Sequence, residues 1–299
     1  MNPYLNKNNM KKITKVVIPA AGFGTRFLPV TKAQPKEMLP IVDKPVIQYV
    51  VEEAVASGVK DIIIVTSWQK RSLEDHFDFS PELEKQLEDA GKFDKLKEVR
   101  SIAEMANFIY VRQKGPYGNA TPILAAQHVL GNEPFAVLWG DEFFYSNPPR
   151  LRQLLDFYEE YGHSVLSAVN VPKKDVSRYG IAEITPIKDN IHQIKTIVEK
   201  PSIASAPSTL ATHGGYVFTP AILDHLKKIK IGKGNELWLV DAILQLIKEE
   251  PVYACEIQNS TYYDTGNKLE YLKANIDFAL KRVDLRDPLM EYLKSIASK

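Results

Sequence analysis

A single cysteine, Cys255, occurs among the 299 residues, so no disulfide can form within the chain and a reducing compartment is the simpler setting. Long apolar runs are missing too. Stretches such as IIIVT and FAVLW stop after a few residues, short of the roughly 18–20 that a membrane span requires. Excess charge of either sign is absent: 38 Lys and Arg face 37 Asp and Glu, a formal net charge of +1. That balance argues against a dedicated nucleic-acid binder. The six histidines form no H-x-x-x-H or Cys/His pair, which leaves zinc without a readable site. Ser67, Ser177 and Cys255 lie in no motif for nucleophilic catalysis. The opening MNPYLNKNNMKK has no apolar segment of the secretory kind and reads as a disordered leader, 1–12. These absences together describe a soluble, cytoplasmic protein without a membrane segment.

What is present looks globular, with 44% hydrophobic and 25% charged residues. Apolar, β-branched runs recur at 11–20, 60–67, 107–113 and 134–140 without polar alternation, which suits strands buried on both faces. Helical spacing fills 45–57, 69–79 and 122–130, the last opened by Thr121 with Pro122 in its first turn. Strands alternating with helices imply a largely parallel sheet wound on both sides. The charged stretch 80–106 breaks the rhythm and reads as an inserted helical hairpin turning at Gly91. Beyond it we expect a helix over 149–161, strands at 163–171, 213–218 and 252–257, and a hairpin over 180–199. Further helices are expected at 220–229, 236–250 and 268–282. The economical division is one mixed domain, 13–284, followed by a C-terminal helix within 285–299.

The first strand runs into Pro19-Ala20-Ala21-Gly22-Phe23-Gly24-Thr25-Arg26, a turn of small residues whose backbone N–H groups can approach phosphate oxygens. A dinucleotide fingerprint fails, because its third glycine would fall at Phe27 and Pro29, Pro35 and Pro40 exclude the helix that should follow. No Gly-Lys-Ser/Thr closes the loop either, so a Walker motif is excluded. What remains is a rigid, non-helical loop carrying Arg26, Lys32 and Lys36, able to neutralise a polyphosphate.

The run IPAAGFGTRFLPVTKAQPKEMLPIVDKPVIQYVVEEAVASG, with EDHFD, FAVLWGDE, VSRYGI, IVEKP and YYDTGNKLEYLKANIDFAL in that order, resembles the bacterial nucleotidyl-sugar pyrophosphorylases, and within them the uridylyltransferase branch. The resemblance extends from about residue 15 to 282. It implies a Rossmann-like mixed, mostly parallel sheet flanked by helices, with a small sugar-binding part and C-terminal helices. The implied reaction moves a uridylyl group from UTP to glucose 1-phosphate, releasing UDP-glucose and pyrophosphate, with Mg²⁺ as cofactor and a homodimer or homotetramer as the assembly. By the same resemblance Arg26, Lys36 and Lys200 handle the reacting phosphates, and Asp141 and Asp264 ligate the metal. Ala20, Ala21, Gly22, Gly24, Gln113 and Gly118 bind the nucleotide. Tyr179, Gly180, Glu199 and Gly215 line the hexose.

Chemistry supports several of these assignments independently. Gln113 offers one donor and one acceptor, which matches the adjacent O4 and N3 of a uracil edge and not the reversed pattern of cytosine. Asp141 closes an apolar strand, at the sheet edge where ligands of open α/β folds collect. Glu142 is expected to support its neighbours. Three departures from the pattern stand out: Tyr117, the stretch Asn119-Ala120-Thr121-Pro122, and Asn267 in the D-T-G-N block. Two other outcomes stay open, a thymidylyltransferase or a transferase for another sugar phosphate, and a catalytically silent nucleotide-sugar-binding subunit.

Overall fold

The computed structural model describes residues 11–297. The expected leader therefore lies, but for its last two residues, outside the described part. Strand β1 (Lys15–Pro19) leads through the glycine loop to a short ribbon, β2 (Pro40–Ile41) and β3 (Lys44–Pro45), that the sequence reading missed. Helix α1 (Val46–Ala56), β4 (Asp61–Thr66), α2 (Arg71–His76), the hairpin α3 (Pro81–Asp89) and α4 (Phe93–Glu104), and β5 (Asn107–Arg112) follow. The turn between α3 and α4 is made by Gly91 at φ +67°, a left-handed conformation that glycine adopts without penalty. Next come α5 (Thr121–Leu130), β6 (Phe135–Leu138), a third unanticipated strand β7 (Phe143–Ser146), α6 (Arg150–Tyr161) and β8 (Val165–Asn170).

The remainder holds β9 (Gly180–Lys188), β10 (Ile191–Glu199), β11 (Leu210–Phe218), α7 (Ala221–Leu226), α8 (Leu239–Leu246), β12 (Tyr253–Glu256), β13 (Ser260–Tyr263), α9 (Lys268–Lys281) and α10 (Val283–Ala297). Helices α2 and α7 end three residues early, and two later helices differ from expectation at their starts. Helix α8 starts three residues late, because Glu236 to Trp238 run extended against the 117–120 loop, with Leu237 N donating to Tyr117 O at 2.8 Å. Helix α10 starts at Val283 and carries Pro288 inside it. Asn267 caps α9, its side chain accepting from Leu269 N and Glu270 N, a place that asparagine and aspartate fill equally well.

Nine strands form one sheet in the order β5-β4-β1-β6-β11-β8-β12-β10-β9. Strands β5, β4, β1 and β6 pair in parallel, and antiparallel pairing dominates beyond β6. The apolar runs show no alternation because both faces are covered. Val16, Ile18, Ile62 and Ile64 enter one core, while Val17, Ile63 and Val65 enter the other. The chain winds from β1 outward to β5, then returns to β6 on the opposite side of β1. That reversal leaves a crevice above the carboxyl ends of β1 and β6. Strand β11 shifts register between Thr212 and Tyr216, so its second half pairs with β6 and its first half with β9.

Candidate active site

All four parallel strands deliver a polar side chain at their carboxyl ends. The loop after β1 folds as short 3-10 turns, Thr25–Phe27, Val30–Lys32 and Lys36–Met38. Gly24 makes the return possible: its φ is +66°, and a Cβ there would lie 3.1 Å from Lys36 Cβ and 3.2 Å from Thr31 Cγ2. Lys36 consequently reaches across to Asp141, which follows β6, and donates to its Oδ2. Behind this pair, Lys70 from the turn after β4 donates to both oxygens of Glu37, at 2.9 and 2.7 Å, with both groups buried. The result is an alternating row, Lys70, Glu37, Lys36, Asp141.

Charge in that row follows from competition between burial and partners. Burial opposes the Asp141 charge, but Lys36, Lys70 and Arg26 outweigh it and hold the carboxyl below its usual range. Lys36 is likewise pressed down by burial, and Asp141 and Glu37 reverse this and hold it above its usual value. For Glu37 and Lys70 burial dominates, raising the first and lowering the second.

Asp264 arrives from far along the chain by way of a two-stranded ribbon. Strand β13 pairs antiparallel with β7, setting Tyr263 opposite Phe143, so the residues just before β7 and just after β13 become neighbours. The convergence can be located at Gly266. A Cβ there would lie 3.2 Å from Asp264 Oδ1, 3.4 Å from Arg26 Nη1 and 3.4 Å from Asp141 Oδ2. Burial first, and the Asp141 charge second, raise the Asp264 carboxyl, against Arg178 and Arg26.

Two cavities meet at this point. One, of about 640 Å³, is lined by Ala21, Gly22, Gly24, Lys36, Gln113 and Gly118 among others. The second, of about 260 Å³, is lined by Tyr179, Gly180, Glu199, Lys200 and Asp264 with their neighbours. Arg26, Asn119, Trp139 and Asp141 belong to both walls. Ala20 sits behind the first cavity, its N–H donated to Val65 O at 2.8 Å, and Lys32 lines neither. Gly215 does not line the second cavity: a Cβ there would point at Ser167 Oγ and Arg150. Its neighbour Gly214 takes that place, pressed against the Trp139 indole.

Strand register shapes the smaller cavity. Glu199 pairs with Gly180, and a Cβ on Gly180 would lie 3.1 Å from Glu199 Oε2. Lys200 follows at φ +47°, a conformation that costs a non-glycine residue about 1–3 kcal/mol. Its N–H donates to Tyr179 O at 3.0 Å, and its ammonium lies 3.8 Å from Glu199 Oε1 and 5.6 Å from the Trp238 ring centre. In the larger cavity Gly118, at φ +130°, lies so close to the backbone of Leu237 that no side chain fits.

Residues 15–280 match the family model described as Nucleotidyl transferase. The chain belongs to the nucleotidyl transferase family. It is 49% identical over 286 residues to the UTP–glucose-1-phosphate uridylyltransferase YngB of Bacillus subtilis, covering 96% of both chains. A uridylyltransferase of the same description from Staphylococcus epidermidis is 48% identical, over 96% of this chain and 99% of that protein. Among solved structures, a UDP-glucose pyrophosphorylase complexed with UDP-glucose superposes with a TM-score of 0.83 at 42% identity, covering 90% of this chain and all of that one. A UTP-bound UGPase from Acinetobacter baumannii gives a TM-score of 0.86 at 36% identity, covering 95% and 99%.

Other residues complete this nucleotidyl transferase site: Glu142 takes the supporting place expected of it, whereas His213 and Trp238 carried no site signal in the sequence. Glu142 accepts from Gly214 N and from the Tyr262 hydroxyl, each at 2.7 Å, which braces the cavity wall. Burial first, then Asp141, lifts its carboxyl to about 7 against Arg150. His213 packs against Tyr262 and Tyr179, with ring centres 4.1 and 4.8 Å away and the ring planes tilted by 50° and 57°. Burial, aided by Arg150 and Arg178, pushes it down to about 3 and keeps it neutral. Trp238 belonged to an expected helix, and Asn119 registered only as a departure from a pattern. No helix among the described residues is long and apolar enough to cross a membrane.

Proposed function

We propose that this chain transfers the uridylyl group of UTP to α-D-glucose 1-phosphate, giving UDP-glucose and pyrophosphate. The observation that carries this reading is the junction of the two cavities at Arg26 and Asp141, where a nucleotide on one side and a sugar phosphate on the other would meet. The sugar phosphate supplies the attacking oxygen, so in-line positioning and charge neutralisation suffice and no covalent uridylyl-enzyme forms. Arg26 grips the leaving pyrophosphate as a bidentate cation, and Lys36 acts as a point charge at the transferring phosphate. Ala21, Gly22 and Gly24 give backbone access to the phosphates, while Ala20, whose N–H is held by Val65 O, backs the loop from behind.

The donor set fits a hard divalent cation. Asp141 is kept ionised by Lys36, and Asp264 turns an oxygen to the same point, where the mutual repulsion of the carboxylates would be relieved. Mg²⁺ suits two carboxylates that leave room for phosphate and water oxygens, and it would neutralise charge on the phosphates. Glu199 accepts from glucose hydroxyls beside Tyr179 and Gly180, and Lys200 holds the sugar phosphate. Gln113 and the backbone at Gly118 read the base. We take 13–284 as the catalytic unit, working in the cytoplasm, where the unpaired, buried thiol of Cys255 would stay reduced. Exposed Leu269, Leu272, Val283, Met290 and Tyr292 on α9 and α10 support a homodimer or homotetramer.

A pyrophosphate-release assay with several nucleotides and sugar phosphates tests the reading. UTP should exceed dTTP by roughly 5- to 150-fold in specificity constant, the effect of one unpaired ribose hydroxyl partner at about 1–3 kcal/mol. CTP should fall further. Equality of dTTP and UTP would move the protein to thymidylyl transfer, and full turnover after exhaustive chelation would remove the metal.

A further inference from the structure

Arg178 ends the turn before β9 and reaches back to the reacting end of the smaller cavity. Its Nη2 donates to Asp264 Oδ2 at 3.3 Å, while Nη1 is 3.9 Å from Asp175, and the guanidinium lies 5.2 Å from the Tyr179 ring centre. The side chain is 37% exposed, so it can move. Asp264 is thereby divided: Oδ2 carries the guanidinium, and Oδ1 faces the point shared with Asp141 and Arg26. Among the described residues lining this cavity, the cations are Arg26, Arg178 and Lys200.

A divalent cation at the shared point would draw the Asp264 charge toward itself and repel the guanidinium beside it. Arg178 then loses the nearer of its two anions, keeping only Asp175 at 3.9 Å, just where a sugar phosphate brings a dianion into the same cavity. A planar guanidinium matches phosphate oxygens in pairs, which a carboxylate shared with a metal does not need. We propose that Arg178 is a second phosphate-binding cation of the sugar side, held on Asp264 in the free protein and released to the sugar phosphate when a divalent cation takes that carboxylate. This rests on the metal reading of Asp141 and Asp264 given above.

The test uses Arg178→Gln and Arg178→Lys in the full chain, with unchanged unfolding midpoints as the fold control. Mn²⁺ binding to the free protein is followed by electron paramagnetic resonance, and KM is measured separately for glucose 1-phosphate and UTP. Removing a competing, partly exposed ion pair should tighten Mn²⁺ binding about two- to fivefold in Arg178→Gln. Loss of a charged hydrogen bond should raise KM for glucose 1-phosphate roughly tenfold or more, with KM for UTP moving less than about twofold and Arg178→Lys intermediate. Unchanged or weaker Mn²⁺ binding, or an equal rise in both KM values, would overturn the exchange. A parent protein whose Mn²⁺ binding is the same as that of Asp264→Asn would overturn the metal reading itself, and the exchange with it.

Discussion

Replacing Gly118 by alanine should damage the nucleotide side specifically, and the neighbouring Gly115 supplies its control. Both glycines have positive φ, +130° and +101°, so either alanine incurs a backbone cost of about 1–3 kcal/mol. Only Gly118 adds a collision. Its Cβ would fall within the backbone of Leu237, 2.8 Å from the carbonyl carbon and nearer to N and O, whereas at Gly115 the nearest atom is Thr121 Cγ2 at 3.9 Å. To relieve the overlap, the 117–120 loop must part from 236–239. That breaks Leu237 N to Tyr117 O (2.8 Å) and Ala120 N to Leu237 O (3.2 Å), and strains the bond from Leu239 N to Asn119 Oδ1 at 2.7 Å. Two such bonds are worth about 2 kcal/mol, so KM for UTP should rise roughly 30-fold in Gly118→Ala if the loop must re-form to bind nucleotide. Steady-state kinetics at saturating glucose 1-phosphate, with urea unfolding alongside, measure both effects. Equal KM values for UTP in the two variants would refute the reasoning, because the clash would then have no consequence for the base pocket.

Arg26→Ala and Asp141→Asn should each lower turnover by ~10²-fold or more with the fold intact; a variant keeping above about a third of normal turnover would lose its assigned role. Glu199→Gln should weaken glucose 1-phosphate more than UTP, and equal weakening would place Glu199 away from the sugar. His213 stays neutral in the fold to about pH 3, while the unfolded chain takes the proton near 6.5. The unfolded state therefore binds more protons between those values, and stability present above pH 6.5 is lost as pH falls toward 3. Relative to His213→Gln, the parent should lose ~1.4 kcal/mol per pH unit below 6.5, about 2 kcal/mol by pH 5. A difference independent of pH in urea titrations would show that the ring is not neutral and buried.

Legibility in the sequence tracked how local the cause was. The runs around Val16 to Ile18 and Ile62 to Val65 announced strands covered on both faces, because uninterrupted apolar β-branched residues have few other places to go. Three prolines excluded a helix after the glycine loop, and 3-10 turns stand there. Short ribbons were invisible: β2, β3 and β7 have two to four residues each, too few for a period to register. The extended start of 236–250 was missed because its partner, the 117–120 loop, lies more than a hundred residues away.

By itself, the sequence determined the alternation of strands and helices and the rigid basic loop, which depend on backbone preference over a few residues. Resemblance to a family, and not local chemistry alone, singled out Arg26, Lys36, Gln113, Asp141, Glu199 and Asp264 as candidates for phosphate, base, metal and sugar. Tertiary structure alone decided which of them meet. The β7–β13 ribbon brings Asp264 to Asp141 across 122 intervening residues, the bend in β11 puts Gly214 and not Gly215 on the cavity wall, and Lys70 reaches Glu37 only through the adjacency of β4 and β1. Arg178 and His213 likewise acquire their partners only in the fold. Contacts between distant segments depend on sheet order and register, which no local pattern of residue types encodes.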